Sequence, residues 1–236
     1  MMVMAANGAT TKKKKTTSEP MATTFRQLAL DEFARQFDTA HIDDMSPAKR
    51  RVVEAFLRLC VVHGMQSVSM RTLAKELDIK APTIYSHFPG GRDEIIAESL
   101  RWHFHHFCSA LVDAVRPAKD ASSFLDSMIR LHFVRQVQLP ESNLWDLIVG
   151  IDRSVQILPV DLSVQVAHWV DLYESLYIAV ARDLGLEDVS IKVKMVNTLL
   201  EGSTRWFEPT KTAKGLSRGA DQAVAIARQI LGLAAS

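Results

Sequence analysis

Residues 80–87, KAPTIYSH, concentrate hydrogen-bonding groups in a stretch that fits about two helical turns. The polar members are Lys80, Thr83, Tyr85, Ser86 and His87. Short or planar groups of this kind bind the base edges and phosphates of DNA when a helix enters the major groove. Lys80 and Thr83, nearest the helix start, can reach either bases or phosphates. The segment therefore suits a helix that enters the major groove, but an amphipathic helix pair by itself is common and weakly specific.

Three further side chains are candidates for phosphate contacts: Arg51, and Ser69 with Arg71 on a preceding segment. The alternative is that all these polar residues only solvate the surface of a small helical domain. A motif by itself does not separate the two possibilities.

The segment 69–88, SMRTLAKELDIKAPTIYSHF, predicts two helices joined by a tight turn. Ser69 can cap the first helix, and Leu73, Ala74 and Leu77 follow at helical spacing. Residues 78–81 form the turn, and Pro82 suits the start of the second helix because its N–H is not needed there. Ile84 and Phe88 should pack in the core and hold the second helix in place.

An earlier helix completes this domain. Ser46-Pro47 is a typical helix start, and His63-Gly64 a typical end. Its buried face is expected to be Val52, Val53, Phe56, Leu57 and Cys60. Asp93 and Glu94 then begin a long fourth helix that runs to about Val115, before Pro117.

The residues Leu73-Ala74, Leu77-Asp78-Ile79 and Ala81-Pro82-Thr83-Ile84-Tyr85-Ser86-His87-Phe88 resemble the DNA-binding signature of the TetR family of bacterial repressors. The resemblance covers about residues 46–100, and beyond them only the all-helical plan and the length match. There are two departures. Asp78 stands where the family usually has Gly, and the segment 88–95 is one residue longer than usual, which bears on how the fourth helix begins.

The resemblance implies an all-α protein with an N-terminal three-helix helix-turn-helix domain and a C-terminal helical domain for ligand binding and dimerisation. It also implies that Tyr85 and His87 bind phosphates. The predicted DNA-binding set is Arg51, Ser69, Arg71, Lys80, Ala81, Pro82, Thr83, Tyr85, Ser86 and His87.

A two-fold dimer would place two such heads on a palindromic operator. The resemblance implies that the last two large helices, near 188–207 and 218–233, form the dimer as a four-helix bundle. Their apolar side chains are Val193, Val196, Leu199, Leu200, Val224, Ile226, Ala227, Ile230 and Leu231. The alternative, that these side chains face the subunit's own core, is expected to hold for some of them.

The domain prediction has four parts: a disordered tail at 1–22, which contains Lys12–Lys15; an extra helical segment at 23–45; the head at 46–92; and the body at 93–236. The extra helix, near 24–40, either packs on the body or extends the dimer contact. Other body helices are expected near 122–138, 142–156 and 161–184.

Composition sets further limits. The 236 residues carry a formal net charge of +1, so DNA binding needs a locally basic face. Cys60 and Cys108 lie in apolar segments and are expected to be buried free thiols. The chain has no apolar run of transmembrane length and no signal-peptide pattern, which predicts a soluble, cytoplasmic protein with no membrane partner.

Polar and aromatic residues within apolar body helices are candidates for a ligand pocket. The proposed set is Trp145, His168, Tyr173, Tyr177, Asn197, Glu201 and Arg205. Each of them also fits an ordinary core or surface position. The ending 204–209, TRWFEP, is similar to that of some TetR-family regulators that sense acyl-CoA thioesters, so an acyl-CoA or another hydrophobic molecule is a candidate effector.

The histidine-rich string 102–108 raises a metal hypothesis, because His103 and His106 can share a helix face. Cys108 lies off that face and no carboxylate completes the set, so we expect no metal. No phosphate-binding loop, nucleophile elbow or zinc-protease motif is present, and no cofactor is expected.

The sequence therefore predicts a homodimeric, ligand-responsive transcriptional repressor that a small molecule releases from its operator. One alternative is an effector-independent architectural or activating DNA-binding protein. Another is an enzyme whose head is incidental, against which the missing acid–base and metal sets argue.

Overall fold

The computed structural model describes residues 23–38, 45–208 and 212–234, and throughout these ranges the regular structure is helical. The predicted tail at 1–22 lies outside them. The helices are α1 Phe25–Asp38, α2 Pro47–His63, α3 Met70–Glu76, α4 Ala81–His87, α5 Gly91–Val115, α6 Ala121–Gln138, α7 Pro140–Val155, α8 Val160–Asp183, α9 Ser190–Glu201, α10 Ser203–Trp206 and α11 Ala213–Leu231. Within the described ranges, none of these helices has the length and apolar character needed to cross a membrane.

The head consists of α2, α3 and α4, as predicted. Ser46 accepts a hydrogen bond from the backbone N–H of Lys49 and caps α2, while Gly64 ends that helix with a φ of +78°. The predicted face of α2 is buried, except that Leu57 is only partly buried against the core.

The turn between α3 and α4 adopts the geometry that the motif predicts. Ser69 and Thr72 form a reciprocal capping box at the start of α3. Asp78 takes a φ of +53°, so it occupies the left-handed conformation that glycine adopts more readily. Ile84 and Phe88 are fully buried and fix α4 against the rest of the head.

Helix α5 joins the head to the body. It begins at Gly91, two positions before the predicted start, and its 25 residues span about 37 Å at the usual rise per residue. It packs against α2 at the head end, and against α1, α6 and α7 along the body.

The extra helix α1 packs on the body, chiefly on α8. The Asp183 carboxylate accepts the backbone N–H groups of Phe25 and Arg26 at 3.0 and 3.1 Å, and it also pairs with the Arg26 guanidinium at 2.9 Å. Phe33, which is 1% exposed, meets Phe104 of α5 edge to face. The sequence left open where α1 packs, and these contacts attach it to the subunit's own body.

The helix predicted at 188–207 is interrupted. It ends as α9 at Glu201, and a short α10 follows Gly202. A side chain at Gly202 would place its Cβ 3.1 Å from the Thr198 carbonyl oxygen, in a turn that bends the chain. The prediction of one continuous helix over 188–207 was therefore wrong.

Most of the apolar side chains assigned to a dimer contact are buried inside the subunit instead. These are Val193, Val196, Leu200, Val224, Ala227 and Leu231. Leu199 and Ile230 are partly buried against the same core, and Ile226 is partly buried. The reason is that α9 and α11 pack on each other and on α6, which uses their apolar faces. The large apolar side chains that α9 leaves exposed are Ile191 and Met195.

Candidate nucleic-acid interface and body cavity

Helix α4 presents a polar face opposite its buried one. Pro82, Thr83, Tyr85 and Ser86 are exposed and His87 is half-buried, while Ala81 is partly covered. Tyr85 is notable because its large ring remains 47% exposed. A short helix held by its apolar side and open on its polar side suits insertion into a groove of DNA.

Gly91 positions Tyr85. Gly91 has a φ of +68°, and a Cβ there would lie 3.3 Å from Cε1 of the Tyr85 ring. The absence of a side chain lets the ring lie against the start of α5. The sequence reasoning did not assign Gly91 a role, although its place in the lengthened 88–95 segment was the available signal.

The basic candidates Arg51, Arg71 and Lys80 are all exposed. Ser69 is exposed too, but its hydroxyl oxygen already accepts the Thr72 backbone N–H at 3.1 Å. Accepting this bond leaves the hydroxyl hydrogen of Ser69 able to donate to a phosphate. The Ser86 hydroxyl, by contrast, already donates to the Thr83 carbonyl at 2.7 Å within α4.

Arg92 is a residue that the sequence reasoning missed. Its guanidinium donates to the carbonyl oxygens of Val68 at 3.1 Å and Met65 at 2.6 Å. These two bonds tie the start of α5 to the loop that precedes α3. Arg92 therefore helps to couple the linking helix to the DNA-binding head.

The body contains a cavity of about 70 Å³ between α5, α6, α7, α8 and α9. Its lining is His103, Phe104, Phe107, His132, Arg135, Gln136, Ser142, Trp145, Asp146, Trp169, Val170, Tyr173, Asn197 and Glu201. Five of these side chains are Phe, Trp or Tyr, two are His and six others are polar or charged, a combination that suits a small-molecule site.

Four of the seven predicted ligand residues line this cavity: Trp145, Tyr173, Asn197 and Glu201. Tyr177 lies one hydrogen bond behind, with its hydroxyl 3.2 Å from that of Tyr173. His168 is exposed. Trp169 and Tyr173 lie on the buried side of α8, and adjacent residues of a helix point about 100° apart, so His168 points away from the cavity. Its assignment to the pocket was wrong.

Arg205 does not line the cavity either. It lies on an open groove of about 720 Å³ between α7 and the α9–α10 segment, together with Thr198 and Thr204. The break at Gly202 turns α10 away from the stripe on which Asn197, Glu201 and Arg205 would have aligned. Asp146 and Glu201 line both the cavity and the groove, so they stand at the boundary between the two.

The polar end of the cavity is acidic. Gln136 donates to the Asp146 carboxylate and to the backbone oxygen of Glu201, the latter at 3.2 Å. Burial, reinforced by the charge of Glu201, raises the pKa of Asp146 to about 7. Desolvation by the surrounding protein atoms also raises the pKa of Glu201, although part of its side chain is exposed to solvent.

Two histidines on the cavity wall are uncharged at neutral pH. Burial lowers the pKa of His103 to about 3 and that of His132 to about 4. His132 Nδ1 lies 3.1 Å from the Tyr173 hydroxyl, which continues the hydrogen-bonded chain to Tyr177. This buried chain fixes one side of the wall.

The histidine-rich string serves packing in this structure. His103 stacks on Trp145 with ring centroids 5.3 Å apart, and His106 lies edge-on to Trp102. Within the described ranges, no three His, Cys, Asp or Glu side chains are grouped to hold a metal ion. Cys60 and Cys108 are buried and free, as predicted.

The cavity wall continues to the head. His103 and Trp145 also line a narrow gap with Phe56 and Leu57 of α2 and Leu144 of α7. Helices α2 and α7 are in direct contact. A change in the position of Trp145 would therefore be transmitted to α2, the first helix of the head.

Comparison with known proteins shows what the chain resembles. Residues 52–98 match the sequence model of bacterial regulatory proteins, tetR family. A comparison with curated protein sequences gave no match.

Among solved structures, the chain resembles a tetR-family regulatory protein from Rhodococcus RHA1, with a TM-score of 0.68 and 15% identity over 80% of this chain and 100% of that one. It also resembles a ketosteroid transcriptional regulator of Mycobacterium tuberculosis, with a TM-score of 0.63 and 16% identity over 80% and 95% of the two chains. A transcriptional regulator from Saccharomonospora viridis in complex with choline gives a TM-score of 0.59 and 20% identity over 76% and 94%. At these identities the likeness establishes the fold.

Proposed function

Since residues 52–98 form a TetR-family DNA-binding domain on the fold of TetR-family regulators, which are transcription factors and not enzymes, we propose that this protein is a homodimeric, ligand-responsive repressor. Each α4 would enter the major groove at one half of a palindromic operator. A small molecule in the body cavity would release the protein from DNA. The observation that carries this proposal is the exposed polar face of α4 opposite the buried Ile84 and Phe88.

The DNA contacts divide by position on the head. Lys80 and Thr83, at the start of α4, are placed for bases or phosphates, and Tyr85 and His87 for phosphates. Arg51 and Arg71 add positive charge from α2 and α3. Ser69 and Pro82 contribute mainly to the shape of this surface, as a helix cap and a helix start.

The release mechanism would use the contact between the cavity and the head. A ligand that displaces Trp145 would shift α7 against α2 and tilt α5, changing the separation of the two heads. To change operator occupancy from nearly full to nearly empty, the ligand must favour the released state by about 5.5 kcal/mol in total. The cavity as it stands is small, so an effector of larger size, such as an acyl-CoA, would have to extend into the adjoining groove.

Dimerisation is the proposed use of the apolar surface that the body leaves exposed. Met195 and Ile191 project from α9, one helical turn apart. The exposed Leu147, Ile151 and Val155 of α7 line the open groove beside the cavity, so we leave them outside this contact. Two-fold contacts built on apolar stripes are common in helical dimers. We propose that α9 forms most of this contact, because α11 uses most of its apolar side chains within its own subunit.

The oligomeric state tests this part. Sedimentation of Met195→Asp with Ile191→Asp should show a monomer where the unchanged protein is a dimer. Val62→Asp is the matched control, because Val62 is 72% exposed on the head, away from α7 and α9. If the double variant in the body remains a dimer, the dimer interface lies elsewhere on the molecule.

Operator binding tests the function as a whole. The purified protein should bind its own upstream DNA tightly and with two-fold symmetry, and a scrambled palindrome should bind weakly. Tyr85→Phe with His87→Ala should abolish the preference. Equal affinity for the scrambled sequence would instead support the architectural alternative.

Salt dependence separates phosphate contacts from bulk charge. Lys80→Ala should lower the magnitude of the slope of log affinity against log salt concentration by about one for each phosphate contact that is lost, and one such contact is lost in each subunit. Lys119→Ala, an exposed position between α5 and α6, should leave the slope unchanged. A panel of small molecules, acyl-CoA thioesters included, would then be screened for release of the bound operator.

A further inference from the structure

The acidic end of the body cavity indicates the charge of the molecule that the cavity binds. We propose that its ligand is an organic cation, a quaternary or protonated amine, whose apolar part lies among the aromatic rings and whose charge faces Asp146 and Glu201. This inference rests on the proposed function and adds the chemical class of the effector.

The aromatic wall suits the apolar part of such a ligand. Phe104 and Trp169 stack with centroids 4.6 Å apart and an angle of 11° between the ring planes, and Trp145 lies 6.1 Å from Trp169. These stacked rings line the cavity. They offer apolar surface to the hydrocarbon part of the ligand, while its charge stays beside the carboxylates.

The charges around the cavity favour the same sign of ligand. Asp146 on α7 and Glu201 on α9 are its two carboxylates, and Arg135 on α6 is its one guanidinium. Arg135 lies over the Phe107 ring, 5.9 Å from its centroid, and the charge of Glu141 acts on it. The two carboxylates outnumber the guanidinium, and the lining histidines are uncharged, so the net charge of the lining is negative once both carboxylates are ionised, which for Asp146 requires a pH above about 7.

Three buried polar atoms of the cavity lining have no hydrogen-bond partner among the described residues: His103 Nδ1, Arg135 Nε, which is a donor, and Asn197 Oδ1, which is an acceptor. Asn197 is 6% exposed. Buried acceptors without a partner are costly unless a ligand or water supplies a donor. An ammonium N–H or a hydroxyl beside the cationic centre would supply one.

The position of the two carboxylates also fits entry of a charged molecule. Asp146 and Glu201 line both the closed cavity and the open groove between α7 and α9–α10. A ligand entering from the groove would keep its charged group at this boundary, beside both carboxylates, while its apolar part goes on to Trp145 and Trp169. Binding of a cation would relieve the repulsion between the two carboxylates.

The test uses two molecules of nearly the same shape that differ in charge: phenyltrimethylammonium and tert-butylbenzene. Binding to the full-length protein would be measured by calorimetry and by tryptophan fluorescence. We expect the cation to bind at least about tenfold more tightly than the neutral compound. Asp146→Asn with Glu201→Gln should remove this preference while leaving tert-butylbenzene binding unchanged.

A matched control loses the same charge elsewhere. Asp171→Asn with Glu187→Gln changes two exposed carboxylates that do not line the cavity. This control should keep the preference for the cation. The affinity for the cation should also rise between about pH 6 and about pH 8, as Asp146 ionises, and Asp146→Asn should weaken that rise.

Equal or tighter binding of tert-butylbenzene, no binding of either compound, or an unchanged preference in the cavity double variant would overturn the cation assignment. Failure of the proposed function is seen separately, in operator binding. Specific operator binding that other compounds release, without binding of the cation, leaves the repressor and rejects only this ligand class. Cation binding that never alters operator affinity supports the site and rejects its role as the effector site.

Discussion

Tyr85 lies so close to Gly91 that a Cβ at position 91 would come within 3.3 Å of its ring. The ring at the exposed face of α4 is thus placed by the first residue of α5, the helix that leads to the body cavity. A movement of α5 would therefore displace Tyr85 directly. This contact joins the proposed DNA-binding surface to the part of the molecule that would respond to ligand.

Gly91→Ala should weaken operator binding by about tenfold or more, because the methyl group displaces Tyr85 from a phosphate contact worth about 1.5–3 kcal/mol. The substitution also strains a backbone φ of +68°. Gly64→Ala is the control, since its φ is +78° but a Cβ there meets nothing within 4 Å. Similar losses of stability in both variants, with lost DNA affinity only in Gly91→Ala, are expected from urea unfolding and electrophoretic mobility shifts. Equal DNA affinity in the two variants would show that Tyr85 is not placed by this contact.

Tyr173→Phe should destabilise the protein more than Tyr177→Phe does. The Tyr173 hydroxyl lies between His132 Nδ1 and the Tyr177 hydroxyl, at 3.1 and 3.2 Å. Its removal leaves both neighbours without this partner, at a cost of about 1–3 kcal/mol, whereas Tyr177→Phe leaves the bond to His132 intact. The free energy of unfolding in urea measures the difference. Equal losses of stability would mean that the hydrogen-bonded chain from His132 to Tyr177 does not act as a unit.

Asp146→Asn should change how stability depends on pH. The pKa of Asp146 is raised from 3.8 to about 7, so between these values the folded protein keeps a proton that the unfolded chain releases. The contribution of this carboxyl to the free energy of unfolding therefore falls as pH rises through this window and then stays level. The variant lacks this loss, and its stability relative to the unchanged protein should increase up to about pH 7.

The lowered pKa values of His103 and His132 act in the opposite direction, but they are present in both proteins and cancel in the difference. Asp171→Asn, on the exposed side of α8, is the control that loses one carboxylate away from the cavity, and Asp146→Asn is compared with it at each pH. A pH-independent difference for Asp146→Asn itself would show that this carboxyl titrates normally.

Gly219→Ala and Gly150→Ala should have opposite effects on stability. A Cβ at Gly219 would lie 2.4 Å from Phe207 Cε2 and 2.7 Å from Phe133 Cζ, so the α6–α11 contact would have to open, at a cost of about 1–3 kcal/mol. A Cβ at Gly150 of α7 meets nothing within 4 Å, and alanine favours a helix interior over glycine by about 0.5–1 kcal/mol. Thermal unfolding would measure both changes. A stabilised Gly219→Ala protein would contradict the close packing of α11 on α6.

The head could be predicted closely because its signals are local. The caps Ser46 and Ser69, the left-handed turn at Asp78 and the proline at position 82 each fix the backbone through neighbouring residues. The cavity was predicted less completely. Trp145, Tyr173, Asn197 and Glu201 were found by their type, whereas Asp146, Gln136 and Arg135 look like ordinary surface residues in an amphipathic helix.

The sequence by itself determined the all-helical fold, the bounds of the head helices and the polar face of α4, because helical periodicity and capping depend on residues close together in the chain. Only the tertiary structure decided which side of each body helix is buried. It placed His168 and Arg205 outside the cavity, turned the apolar side chains of α9 and α11 into the subunit's own core, and brought Asp146 and Glu201 to one boundary. Those outcomes depend on how distant helices rotate and pack against one another, which local patterns do not specify.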